Sequence, residues 1–119
     1  MINIAIVDDE PQITSMLEKY LRRNSDYRIV VYNNPISALS SISNTTDVVL
    51  LDIMMPQMNG LDLLPKLKQK YPNINVIMMT AYSTLDKVLD SHRHGAEHYL
   101  MKPFESLAVV SNKIDEVTK

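Results

Sequence analysis

Short runs of β-branched and apolar residues alternate along the chain with segments in which apolar side chains recur every three or four positions. The runs INIAIV (2–7), RIVVY (28–32), DVVLL (47–51), INVIMM (74–79) and HYLM (98–101) predict five strands. Behind Pro11, the residues Ile13, Met16, Leu17, Tyr20 and Leu21 repeat at i, i+3, i+4, i+7 and i+8, which predicts an amphipathic helix with these side chains inward. A second helix is predicted after the N-cap Asn34 and Pro35, with Ile36, Leu39 and Ile42 inward. A third covers about residues 60–70; Pro65 lacks an N–H, so this helix is expected to start late near Asp62 or to kink. A fourth carries Leu85, Val88 and Leu89 and stops at Gly95, and the last has Leu107, Val110, Ile114 and Val117 along one stripe.

Strict alternation of strand and helix implies a parallel sheet, because parallel neighbours need crossover connections, and these are right-handed. The expected fold is α/β: a doubly wound, flavodoxin-like five-stranded sheet in the order 2-1-3-4-5, with helices on both faces. In that order the ligand crevice lies between strands 1 and 3, beyond their carboxyl ends. Asp8 and Asp9 end strand 1, Asp52 ends strand 3, Thr80 ends strand 4 and Lys102 ends strand 5, so these polar side chains collect at one edge.

Composition narrows the range of functions. At 119 residues, 45% hydrophobic and 22% charged, the chain is expected to be one domain over 1–119. Twelve basic against 14 acidic side chains, a net charge of -2, leave no surplus to neutralise phosphates, which argues against direct nucleic-acid binding. No apolar run approaches the roughly 20 residues of a membrane span, and MINIAIVDDE lacks the pattern of a signal peptide. The absence of cysteine removes disulfides and thiolate metal sites and fits a cytoplasmic location.

Three clustered carboxylates repel one another unless a cation is present, which points to a hard divalent ion, Mg²⁺ first and Mn²⁺ as the alternative. A carboxylate can also act as a nucleophile and form an aspartyl phosphate, with the metal, an ammonium and a hydroxyl stabilising the transferred group. Taken singly, each residue has a plainer reading. Asp8, Asp9 and Glu10 read equally as capping acids for the first helix; Thr80 alone is a strand end, Lys102 a surface lysine and Tyr99 a half-buried strand aromatic. Met54, Met55, Met58, Met78, Met79 and Met101 read as core and loop filler, and His92, His94 and His98 as surface residues.

The motifs VDDE (7–10), LLDIMMPQMNG (50–60), MMTAY (78–82) and GAEHYLMKPF (95–104) together resemble the receiver domain of two-component response regulators, over essentially the whole chain. The resemblance implies that Asp52 is the phosphoacceptor, served by a sensor histidine kinase or phosphotransfer protein. It implies that Asp9, Asp52 and the backbone carbonyl of Met54 bind Mg²⁺, with Asp8 helping through water. Thr80 and Lys102 would contact the phosphoryl group, Thr80 and Tyr99 would form the switch, and the bond before Pro103 would be cis. The signalling surface would then be the fourth helix, the fifth strand and the last helix, read by a partner or by a second copy of the domain.

Such a domain signals rather than acting on an external substrate, and promotes only its own phosphorylation and dephosphorylation. Two residues past Asp52 and Thr80, where receivers vary, stand Met54 and Tyr82, which offer no carboxylate or amide to orient a hydrolytic water; slow self-dephosphorylation is expected. The last helix, ESLAVVSNKIDEVTK, has no arginine for the charged pairing used by similar winged-helix regulators. A haloacid-dehalogenase-type phosphohydrolase would place a second aspartate where Met54 stands. The remaining alternative is a phosphate-independent binding module with a relic acidic pocket. The pattern fits both a stand-alone relay protein and the receiver of a longer regulator.

Overall fold

The computed structural model describes residues 1–80 and 98–118; the predicted helix with Leu85, Val88, Leu89 and Gly95, together with Tyr82, His92 and His94, lies outside the described residues. In chain order the elements are β1 (Ile2–Val7), α1 (Pro11–Leu21), β2 (Tyr27–Tyr32), α2 (Pro35–Ser41), β3 (Val48–Asp52), α3 (Gly60–Lys70), β4 (Asn75–Thr80), β5 (His98–Met101) and the C-terminal helix α4 (Leu107–Thr118). The sheet has the order β2-β1-β3-β4-β5, and every pairing is parallel.

The period-2 alternation of side chains divides the core in two. Ile4, Ile6, Leu50 and Ile77 face α1 and α4, where they meet Leu17, Leu21, Val110 and Ile114. Ala5, Val7, Leu51 and Met78 face α2 and α3, where they meet Ala38, Leu63, Leu64 and Leu67. Val48 through Leu51 are fully buried, which is why β3 reads as an unbroken apolar run rather than an alternation.

Several expected details shift. The strands expected at 28–32, 47–51 and 74–79 occupy Tyr27–Tyr32, Val48–Asp52 and Asn75–Thr80. Asp52 and Thr80 are the last paired residues of their strands, as expected, with Asp52 opposite Met79. Met16 is exposed instead of inward, because the buried stripe of α1 centres on Thr14, Leu17 and Leu21 and leaves Met16 on its flank. Ile36 is also exposed; the Asn34 side chain accepts from the N–H groups of Ile36 and Ser37, and this start turns Pro35, Ala38 and Ile42 toward the sheet. The late start of α3 does not occur. Asn59 accepts from the Leu61 N–H at 2.8 Å, the helix begins at Gly60, and it stays helical through Pro65 because buried Leu63, Leu64 and Leu67 outweigh one lost hydrogen bond.

Candidate functional site

The carboxyl ends of the strands carry the polar groups, and backbone bonds fix them there. Asp52 is 3% exposed at the end of β3, and the next residue's N–H donates to the Met79 carbonyl at 3.1 Å. Asp8, fully buried, follows β1; its N–H donates to the Tyr32 carbonyl, and its own carbonyl accepts from Asn33 Nδ2 at 2.9 Å. The same Asn33 amide donates to Thr14 Oγ1, so β2 and α1 together set the backbone of Asp8. One oxygen of the Asp8 carboxylate, Oδ1, accepts from the Glu10 N–H at 2.9 Å just ahead of α1. Glu10 itself sits at the N-cap without a side-chain cap bond, so it does not fill the plain capping role.

Lys102 enters from the far side of the sheet. Its backbone N–H donates to the Thr80 carbonyl at 2.8 Å, and the Lys102–Pro103 peptide bond is cis. The ammonium donates to Asp8 Oδ2 at 2.5 Å and to Asp52 Oδ1 at 3.2 Å, with exposed Glu10 at 3.7 Å. One cation therefore bridges two buried anions. The balance is unfavourable for Asp52: burial and the neighbouring Asp8 charge push its carboxyl from 3.8 to about 6, against the opposing pull of Lys102. Burial pulls the lysine's own pKa down, but its bonds to Asp8 and Asp52 and the charges of both more than reverse this, so the ammonium is held charged.

Asp8, Asp9, Glu10 and Asp52 can each offer a carboxylate oxygen within 4.8 Å of the others. Hard oxygen donors of excess negative charge, one of them visibly short of compensation, fit a Mg²⁺-type ion. Thr80 is buried at the end of β4, and Met101 of β5 pairs with it. Tyr99 lies opposite Met78, half-buried against the core on the α2 and α3 side, and burial raises its phenol pKa. Met54 is exposed in the loop after Asp52, while Met55 is buried.

Three contributors escaped the sequence reading. Asn33 and Thr14 hold Asp8 from behind. Gly60 matters through close approach: its N–H donates to the Ile53 carbonyl at 2.8 Å, and a Cβ there would lie 2.1 Å from the Asp52 carbonyl oxygen. The signal for Gly60 was the Asn-Gly pair that opens α3, which looks like ordinary helix-start chemistry.

This fold and edge define a phosphorelay receiver, and comparison with known proteins agrees. The family model for the response regulator receiver domain matches residues 4–113, and the chain belongs to that family. It is similar to the DNA-binding transcriptional regulator NtrC of Escherichia coli (strain K12), 40% identical over 113 residues covering 92% of this chain and 24% of that protein. It is similar also to the transcriptional regulatory protein MalR of Bacillus subtilis (strain 168), 37% identical over 107 residues covering 88% of this chain and 46% of that one. The chain thus spans about a quarter of the length of NtrC. Among solved structures, response regulator TrrA of Thermotoga maritima in complex with Mg(2+)-BeF superposes with a TM-score of 0.84 at 32% identity, covering 98% of this chain and 99% of that one. CheY in the CheX-CheY-BeF3-Mg complex of Borrelia burgdorferi gives 0.90 at 27% identity, covering 99% and 90%. The phosphate-independent alternative is not favoured. Among the described residues, no helix is long and apolar enough to cross a membrane.

Proposed function

We propose that residues 1–119 act as one cytoplasmic receiver domain whose Asp52 takes a phosphoryl group from a sensor histidine kinase or phosphotransfer protein. The observation that carries the reading is the Lys102 ammonium shared between Asp8 and Asp52 on the edge that buries Thr80. A carboxylate oxygen of Asp52 attacks phosphorus as the bond to the donor breaks, and Lys102 and the Thr80 hydroxyl donate to the phosphoryl oxygens. Asp8, Asp9, Asp52 and the Met54 carbonyl would hold Mg²⁺, which when bound supplies positive charge for those oxygens. A protein donor is supported by an apolar groove of about 320 Å³ opening beside Lys102, lined by Ile13, Met16, Pro103, Phe104 and Leu107.

Acetyl phosphate with Mg²⁺ is expected to add one phosphoryl group, read by intact mass, and Asp52→Asn to abolish it; equal labelling of the variant would put the acceptor elsewhere. The labelled protein is expected to lose phosphate slowly, with Met54→Asn and Tyr82→Glu accelerating the decay. No acceleration in either variant removes the role given to these two positions.

Signalling needs a change away from the edge. A phosphoryl group on Asp52 would give the Thr80 hydroxyl a new acceptor, and Tyr99, on the neighbouring strand, would follow it. A differential of about 5.5 kcal/mol carries a two-state equilibrium from 1:99 to 99:1, so modest contacts suffice. Thr80→Ala is expected to accept phosphate while the amide shifts over residues 83–118 shrink; unchanged shifts would rule out the route through Thr80 and Tyr99.

A further inference from the structure

The strand β2 forms one margin of the sheet, and Arg28 is the one charged residue along it. It is six residues long, pairs with β1 in unbroken register from Ile2↔Tyr27 to Val7↔Tyr32, and contains neither proline nor lysine. The carbonyls of Asp26 and Tyr32 accept from the N–H groups of Ile2 and Asp8. With a period of two, Arg28 and Val30 also turn their backbone groups to β1, while those of Ile29 and Val31 point outward. Helix α2, at seven residues against eleven for α1 and α3, stops before covering the same margin. Val30 is consequently 46% exposed, beside exposed Arg28 and half-buried Tyr32. Among the described residues the Arg28 side chain makes no ion pair, hydrogen bond or ring contact, unlike Arg22 on Glu18 and Arg23 over Tyr20.

We infer that β2 is a self-association edge, at which a second copy of this chain adds its own β2 antiparallel about a two-fold axis through Val30. That register makes the sequence YRIVVY complementary to itself. Ile29 faces Val31 of the second copy, and these two outward-pointing residues exchange both backbone hydrogen bonds. Val30 meets Val30 in a non-hydrogen-bonded pair, the arrangement with the closer Cα approach, about 4.5 Å. Arg28 falls opposite Tyr32 on the same sheet face, which gives the unpartnered guanidinium an aromatic ring in each half of the pair. A register shift of one residue would set inward-bonded residues against outward-bonded ones, and among the registers that this parity leaves, the axis at Val30 is the one that sets Arg28 against Tyr32. A single paired strand buries less than the roughly 1,000 Å² of a stable interface, so the association is weak, with Kd on the order of 10 to 1,000 µM. It uses none of the side chains proposed to hold the phosphoryl group or the metal, so it is expected in unphosphorylated protein without Mg²⁺.

The chain has no cysteine, so Val30→Cys puts a single thiol on the axis. A facing Cα separation of about 4.5 Å lies within the range of a disulfide. With oxidised glutathione as oxidant, each interchain disulfide forms as two thiols give up two electrons and two protons, and glutathione disulfide becomes two glutathione thiols. Covalent dimer is expected to form about tenfold faster than in Ile36→Cys, a more exposed site off the axis; equal rates would overturn the inference. Sedimentation equilibrium of the unaltered chain gives a second decision. Val30→Lys, checked for folding by circular dichroism, is expected to weaken self-association about tenfold by setting like charges face to face. An unaltered chain that stays monomeric at about 1 mM, or association indifferent to this substitution, would equally overturn it.

Discussion

Strand β3 has an aspartate at each end, and the two live in different chemistry. Asp47, just before the strand, is exposed; its carboxylate accepts the Asn3 N–H at 2.8 Å, and its backbone carbonyl accepts from Asn75. It stitches three chain segments together at the water's edge. Asp52, at the other end, is buried, shares one ammonium with Asp8, and carries a carboxyl pushed up to about 6. A carboxylate at a strand end is therefore uninformative by itself. What separates the two is whether water or other charged groups surround it, and in a parallel sheet only the carboxyl edge gathers such groups from every strand.

The harshest way to break this contrast is Gly60→Ala. The added Cβ would press on the backbone of Asp52 itself, with no flexible side chain to yield, so a loss of about 3 to 5 kcal/mol is expected in urea unfolding, together with impaired labelling of Asp52. A variant as stable as the parent would show that the loop between Asp52 and α3 can give way.

A smaller effect separates the two aspartates by pH. The folded chain holds the Asp52 proton up to about 6 against an ordinary 3.8, so between these values it keeps a proton that the unfolded chain has released. Stability in chelator is thus expected to fall as pH rises through this window, by at most about 3 kcal/mol. Asp52→Asn is expected to flatten that fall, and Mg²⁺ to restore stability to the parent above the window. A slope identical in parent and variant would mean that Asp52 is not the strained acid. The smallest effect closes the comparison: Asp47→Asn retains an acceptor for the Asn3 N–H, so a change within about 0.5 kcal/mol and undiminished labelling are expected.

The sheet was legible because β1, β3 and β4 carry continuous apolar runs and β2 alternates, and strand order turned scattered aspartates into one edge. The position of the site followed from topology, with Asp52 and Thr80 at the ends of their strands. Side-chain phase was less legible where elements are short. In a helix of two turns, Ile36 and Pro35 fit an inward stripe about equally well, and the decision fell to the Asn34 cap. Met16 is apolar but lies on the flank of a stripe that includes the hydroxyl-bearing Thr14. Gly60 and Asn33 act through distances to distant backbone, for which a linear pattern carries no signal.

The burial of β3 on both faces has a consequence for how the acceptor can fail. Local opening events spread over a structure from nearly zero cost at fraying ends to the full unfolding free energy in the central strands. Val48 through Leu51 have no exposed surface, and Asp52 is joined directly to them. Amide hydrogen exchange should therefore be slowest immediately beside the phosphoacceptor, and no partial melting can release Asp52 while the rest of the chain stays intact. For this residue, losing the site and losing the fold are the same event.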